Sequence, residues 1–164
     1  MKEYPLVLPG LTIGLLGGSF DPPHEGHIHI SKMAIKIFNL SKLWWLVSPG
    51  NPIKDKMPSN INHRVQAAKK IMEHPSVIIT DIEKKLQTKF TFQSLIKIKK
   101  LYPGTRFVWI MGADNLINFH HWENWDWIMK NIPIGVMARP REQIKAGLST
   151  AATRFKKYRL PKEK

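Results

Sequence analysis

Two histidines lie three residues apart, behind a pair of glycines near the amino end of the chain. His24 and His27 follow Gly17 and Gly18 and a turn stiffened by two prolines. The glycines let backbone approach a ligand closely, and a helix beginning at about Gly26 presents free amides and a positive dipole end to an anion. Both imidazoles can therefore face one ligand, and the pattern predicts a phosphate-binding loop.

This loop differs from the two common nucleotide fingerprints. It lacks the Lys-Ser/Thr ending of a P-loop and the third glycine of a dinucleotide site. A tight turn with two solvated histidines stays open as an alternative. A zinc site on His24, His27 and His29 is a second alternative, but no carboxylate or further histidine has supporting spacing.

Short apolar runs alternate along the chain with longer stretches of helical periodicity. The runs are typical of strands covered on both faces, and they cover residues 11–16, 43–47, 77–80, 107–111 and 132–137. Helices are predicted over about residues 26–38, 62–73, 91–101 with Thr91 as a cap, and 122–130. Irregular loops are expected at residues 48–61 and 81–90. The alternation predicts an α/β fold, a Rossmann-like doubly wound parallel five-stranded sheet with helices on both faces and ligands at the carboxyl ends of the strands.

Composition favours one folded domain with an anionic partner. The 164 residues are 43% hydrophobic and carry a formal charge of +14, from 26 Lys and Arg against 12 Asp and Glu. We expect a single domain over residues 1–164, with a basic extension from about 141 to 164. No run reaches the roughly 18 apolar residues of a membrane span, so we expect no membrane partner. Cysteine is absent, which excludes disulfides and thiolate metal sites and fits the cytoplasm.

Residues 17–27, GGSFDPPHEGH, match every fixed position of the signature Gly-Gly-x-Phe-Asp-Pro-x-His-x-Gly-His. The chain thus resembles the nucleotidylyltransferase superfamily. The resemblance implies catalytic roles for His24 and His27, ATP as a substrate, and Mg²⁺ as the cofactor bound with it. The implied ATP-binding residues are Gly17, Gly18, Ser19, Phe20, His24 and His27. Lys54 and Arg64 are further candidates for binding phosphate.

Residues 112–125, GADNLINFHHWENW, indicate the acceptor. They resemble the Gly-x-Asp-x-Leu-x-x-Phe-x-x-Trp segment of bacterial nicotinate-nucleotide adenylyltransferases. The resemblance implies that Trp122 stacks on a pyridine ring, and that Thr91 meets the nicotinate carboxylate. Asp114 would orient substrate or hold part of the Mg²⁺ shell.

Helix packing is the alternative for the aromatic cluster in this region. Aromatic side chains fill cores more often than they bind ligands, and we accept packing for Trp125 and Trp127. For Trp122 we prefer the stacking role.

The resemblance extends over about residues 11–140 and includes Arg139-Pro140. Family members carry a downstream Ile-Ser-Ser-Thr-x-Ile-Arg segment that binds ATP phosphates. Residues 148–154, LSTAATR, are superficially similar but follow Arg139-Pro140 too soon. We interpret them as a connecting helix, which makes Ser149 and Arg154 poor candidates, and we expect the C-terminal family motif to be absent.

The expected reaction is transfer of AMP from ATP to nicotinate mononucleotide, giving nicotinate adenine dinucleotide and pyrophosphate in NAD biosynthesis. The acceptor phosphate, with a second pKa of about 6, is mostly dianionic at pH 7 and attacks in line without a covalent intermediate. Nicotinamide mononucleotide and phosphopantetheine are alternative acceptors. A non-catalytic basic protein that binds nucleotides or RNA is the alternative of another class. We expect no specific nucleic-acid partner, and a homo-oligomer stays open.

Overall fold

The computed structural model describes residues 4–50 and 60–137, in which a parallel sheet is flanked by helices. The strands are β1 (Thr12–Gly18), β2 (Lys42–Val47), β3 (Val77–Thr80), β4 (Arg106–Gly112) and β5 (Ile134–Met137). The helices are α1 (Glu25–Ile37), α2 (Ile61–Ile71), α3 (Ile82–Leu86), α4 (Thr91–Leu101), α5 (Ala113–Asn118) and α6 (Trp125–Asn131). A short 3₁₀ turn, Phe119–His121, joins α5 to the segment before α6.

The five strands lie in the order β3-β2-β1-β4-β5, and every neighbouring pair is parallel. The strand order reverses direction at β1. The chain first adds β2 and β3 on one side of β1, and it then crosses to the other side to form β4 and β5. Connections leave β1 and β4 in opposite directions, so a crevice opens outside the carboxyl ends of these two strands. The predicted doubly wound fold is therefore confirmed, and the crevice expected for such a fold lies next to Gly18 and Gly112.

Alternating side chains of each strand supply two cores, one on either face of the sheet. In β2, Trp44 and Leu46 belong to the core under α3 to α6, whereas Leu43, Trp45 and Val47 belong to the core under α1 and α2. All five are completely buried, as expected for a central parallel strand. In the described ranges, no helix combines the length and apolar character needed to cross a membrane.

Three short helical segments were missed by the sequence predictions. The loop expected at residues 81–90 contains α3, and α5 and the 3₁₀ turn lie before the helix expected from Trp122, which is present as α6 and begins at Trp125. Each segment is six residues or shorter, too short to show a helical period. Thr91 is also not the cap of α4. It is the first helical residue, and Gln93 Oε1 accepts a hydrogen bond from the preceding amide of Phe90 at 3.1 Å.

Gly17 is small because a tryptophan fills the space where its side chain would lie. A Cβ atom there would come within 2.6 Å of Trp109 Cη2, far inside van der Waals contact. Packing against Trp109 is thus a second reason for glycine at this position, and the predicted approach of its backbone to a ligand stays a prediction. At Gly18 an added Cβ would meet only the ring of Phe20, at an ordinary 3.4 Å.

These two glycines give a matched test of the packing. We expect Gly17→Ala to lower the free energy of unfolding by about 1–3 kcal/mol, the usual cost of overpacking a core, because the Trp109 ring must move. Gly18→Ala should cost clearly less. Urea unfolding followed by far-ultraviolet circular dichroism measures both, and equal losses in the two variants would contradict this packing.

Candidate active site

The histidine pair lies where β1 leads into α1, and the two residues hold each other in place. The amide of His24 donates to Nδ1 of His27 at 3.0 Å, while the amide of Gly26 donates to Nδ1 of His24 at 3.1 Å. The ring centroids are 3.9 Å apart. A Cβ on Gly26 would lie 2.8 Å from Cε1 of His24, so only glycine lets the ring lie across this backbone. The amide predicted to be free at Gly26 is thus used for capping.

These hydrogen bonds decide which nitrogen of each ring faces a ligand. Because both Nδ1 atoms accept hydrogen bonds, the proton of each neutral ring is on Nε2. Burial lowers the pKa of His27 from 6.5 to about 4, and the neighbouring His24 makes a smaller contribution in the same direction. His27 is therefore a neutral hydrogen-bond donor at pH 7, rather than a cation.

An aromatic stack supports the histidine pair from below. Phe20 lies 4.6 Å from the ring of His27 and stacks on Trp45 at 4.7 Å with an interplanar angle of 15°. Its side chain is buried and its φ is 49°. The ring of Phe20 is accordingly closed to a ligand, and its predicted role toward ATP stays a prediction for its backbone.

Trp45 also fixes the first turn of α1 through a serine. Its indole N–H donates to the hydroxyl of Ser31 at 2.7 Å, and this hydroxyl donates to the carbonyl oxygen of His27 at 2.7 Å. Ser31 is completely buried. The bonds tie the residue that carries the imidazole to the central strand β2.

Arg64 joins the loops after β1 and β2. Its Nη1 donates two hydrogen bonds of 2.7 Å, one to the carbonyl oxygen of Ser19 and one to that of Ser48. Arg64 is only 3% exposed, and burial lowers its pKa while the carboxylate of Asp21 raises it. The sequence did not predict this contact, and the predicted role of Arg64 toward phosphate stays a prediction.

Asp114 and Trp122 lie beyond the carboxyl end of β4. Asp114 is exposed in the first turn of α5, and its carboxylate occupies the space beside Gly112 that a side chain would otherwise fill. Trp122 is half-buried and makes edge contacts with Phe119 at 4.9 Å and Trp109 at 6.2 Å. Since Trp109 also packs against β1, a single indole separates Trp122 from the glycine loop.

Thr91 is half-buried in the first turn of α4, between Phe90 and Phe92, whose rings stack at 6.3 Å. Because α4 runs back toward the start of β4, its amino end lies at the carboxyl edge of the sheet. The structure thus brings the start of α4 to the same edge as the histidine loop. Trp125 and Trp127 pack against the core, as predicted.

Metal-binding side chains do not cluster in the described part of the chain. Within residues 4–50 and 60–137, no three residues of His, Cys, Asp or Glu lie close enough to hold an ion together. This also applies to His24, His27 and His29.

Several sequence predictions fall outside the described residues. They are Lys54, Arg139-Pro140, Ser149, Arg154 and the basic extension at 141–164. Within the described ranges, the supporting residues Ser31, Trp45 and Trp109 were missed, because an isolated serine or a buried tryptophan carries no sequence signal of its partner.

Known proteins share both the sequence and the fold. The model of the cytidylyltransferase-like family matches residues 15–159. A Ruegeria sp. protein named a probable nicotinate-nucleotide adenylyltransferase is 56% identical over 92% of this chain and 80% of its own length. A Roseobacter denitrificans protein of the same name is 51% identical over 98% of this chain and 80% of its own. A Plasmodium falciparum nicotinic acid mononucleotide adenylyltransferase, solved with NaAD, matches the fold with a TM-score of 0.67 at 18% identity, covering 88% of this chain and 82% of that one.

The lowered pKa of His27 predicts a distinct titration. We expect its imidazole to keep the chemical shifts of the neutral Nε2–H form down to about pH 4 in ¹⁵N NMR, with the signal assigned by its loss in His27→Gln. A ring that titrates near 6.5 would contradict the burial and hydrogen bonding described above.

The same shift makes stability depend on pH. Below 6.5 the unfolded chain takes up a proton at His27 that the native protein does not, so stability falls as pH drops toward about 4 and this loss ends there. Since the ring is half exposed, screening reduces the effect to the order of 1–2 kcal/mol. Thermal unfolding across this pH range should show a shallower fall for His27→Gln, and identical slopes would contradict the linkage.

Proposed function

The chain belongs to the bacterial nicotinate-nucleotide adenylyltransferases of the cytidylyltransferase-like family, and we propose that it transfers AMP from ATP to nicotinate mononucleotide. The products are nicotinate adenine dinucleotide and pyrophosphate, which makes the reaction a step of NAD biosynthesis. The observation that carries the proposal is the mutually fixed pair His24 and His27, in a chain 56% identical to a relative named for this activity.

ATP would occupy the crevice at the end of β1. The backbone of Gly17, Gly18 and Ser19 would line it, and the exposed ring of His24 would bind the triphosphate through Nε2. His27 would donate its Nε2–H to a non-bridging oxygen of the α-phosphate. A neutral donor suits this position, because it stabilises charge that grows in the transition state and needs no proton transfer.

The chemistry is a single displacement at the α-phosphorus. An oxygen of the acceptor phosphate forms a bond to this phosphorus, while the bond to the β-phosphate oxygen breaks and pyrophosphate leaves with its electron pair. The attacking group is already mostly dianionic at pH 7, with a second pKa of about 6, so no general base is required. Catalysis then depends on alignment and on compensation of negative charge, for which the formal charge of +14 is favourable.

Mg²⁺ is the cofactor that this proposal includes. When bound, it would neutralise charge on the leaving pyrophosphate. Asp114 is an exposed carboxylate at the correct edge and fits one position of its shell, and ATP oxygens and water would supply the others, as is usual for this ion.

The acceptor would bind on the β4 side of the crevice. Trp122 would stack on the pyridine ring, and the start of α4 at Thr91 would bind the nicotinate carboxylate, since a helix amino end favours an anion. Asp114 would orient this substrate or contribute to the metal shell. Because ATP and mononucleotides are metabolites of the cytoplasm, the proposal also assigns the enzyme to that compartment.

His27→Ala tests the donor role. We expect turnover to fall by about 10²- to 10³-fold, the usual loss for one transition-state donor, with a much smaller change in KM for ATP. His29→Ala is the matched control, because His29 is exposed on the same helix. Pyrophosphate release measures both, and near-normal turnover of His27→Ala would rule out the mechanism.

Acceptor choice is tested by a panel assay. We expect the highest kcat/KM with nicotinate mononucleotide when the protein is incubated with ATP, Mg²⁺ and one acceptor at a time. Nicotinamide mononucleotide and phosphopantetheine are the competitors. Release of pyrophosphate with phosphopantetheine alone would overturn the assignment, and no release with any acceptor would favour the non-catalytic alternative.

A further inference from the structure

A buried carboxyl lies between α3 and α4, outside the histidine loop. Glu83 is 9% exposed and meets two other buried polar residues, Thr88 at 7% and Ser94 at 1% exposure. The hydroxyl of Ser94 donates to Glu83 Oε2 at 2.7 Å, and Ser94 and Thr88 are joined at 2.7 Å. Since the single proton of Ser94 is used by Glu83, Thr88 is the donor in that second bond.

The backbone of Glu83 also contributes hydrogen bonds, to the turn that ends α3 and contains Thr88. Its carbonyl oxygen accepts from the amide of Thr88 at 3.2 Å, while the carbonyl of Lys84 accepts from Gln87 at 3.1 Å. This is the hydrogen-bond pattern of a Schellman motif at the end of α3. The left-handed residue is Gln87, with φ of 57°, where glycine is the usual choice.

The network reaches the residue expected to meet the acceptor. Ser94 donates from its amide to the carbonyl oxygen of Phe90 at 3.2 Å, and Gln93 Oε1 accepts from the amides of Lys89 and Phe90 at 3.1 Å each. The backbone just before Thr91 is therefore fixed from two sides. Glu83 connects this fixed point to the end of β3 through α3.

Burying a carboxyl group is unfavourable unless it is well hydrogen-bonded. Burial raises the pKa of Glu83, and the hydrogen bond from Ser94 opposes that change. An apolar side chain would fill the space at lower desolvation cost. A buried carboxyl at this place is thus explained better by the hydrogen bonds that it orients than by filling space.

We propose that Glu83 is a positioning residue for acceptor binding, acting through Ser94 and Thr88 on the turn that delivers Thr91 to the carboxyl edge of the sheet. The inference rests on the proposed function, because that function is what gives Thr91 an acceptor to bind. Glu83 itself touches no substrate in this assignment. Its effect is selective, since the histidine loop is held separately by Arg64 and Ser31.

The test separates acceptor binding from ATP binding by steady-state kinetics. We expect Glu83→Ala to raise KM for nicotinate mononucleotide by about tenfold or more, the scale for a broken buried hydrogen-bond network. KM for ATP should stay within about twofold, a change too small to indicate a lost contact. Glu83→Gln keeps the shape and one acceptor oxygen, so it should restore most of the loss, and Ser94→Ala should reproduce it. Lys84→Ala, at the exposed neighbour, is the control.

The outcomes distinguish this inference from the function on which it rests. If the wild-type protein releases no pyrophosphate with nicotinate mononucleotide, the proposed function fails and the inference fails with it. If the wild type turns over but Glu83→Ala changes neither KM, or raises both equally, only the inference is overturned. Should Glu83→Ala not fold, Ser94→Ala and Thr88→Val decide the question by the same ratio of the two KM values.

Discussion

Arg64 donates two hydrogen bonds from one nitrogen to the carbonyl oxygens of Ser19 and Ser48, and through them it joins the loops after β1 and β2. A buried guanidinium is tolerated only when its protons are bound, so the position of these loops follows from the need to pair it. The amide of Ser48 also donates to the carbonyl of Gly18 at 2.9 Å. The start of the crevice is thus fixed by backbone atoms that side-chain substitutions in the loop leave in place.

The need to hydrogen-bond buried polar groups also applies along the rest of the sheet edge where the strands end. Six polar side chains are buried in the described ranges, and each has a hydrogen bond to a loop, a helix start or another member of the set: Ser31, Arg64, Thr80, Glu83, Thr88 and Ser94. Thr80, for example, accepts from the amide of Ile82 at 3.1 Å and so begins α3. These buried polar side chains therefore help to position the edge where the proposed substrates bind. Such preorganisation suits a reaction that needs alignment more than proton transfer.

Much of this arrangement could be predicted from the sequence, and the reasons for the failures are physical. All five strands were predicted, because each is a short and nearly continuous apolar run, and the histidine loop was found by the spacing of its glycines and histidines. Short helices such as α3 and α5 have no period to detect. The packing of Gly17 depends on Trp109, about ninety residues later in the chain, and the partners of Glu83 depend on a turn that only the folded backbone defines. Local sequence patterns therefore indicate helices, strands and motifs, whereas the residues that pack against them are decided by contacts between distant parts of the chain.

Direct transfer between two bound nucleotides is the central claim, because the described site offers a neutral donor, His27, and the proposed chemistry uses no protein nucleophile. The most direct test uses ATP carrying a single sulfur of known configuration on its α-phosphorus, with nicotinate mononucleotide as acceptor, and determines the configuration of the thio-dinucleotide product. One in-line displacement predicts inversion at phosphorus. Retention would require two displacements through a covalent intermediate, and would contradict the proposed mechanism.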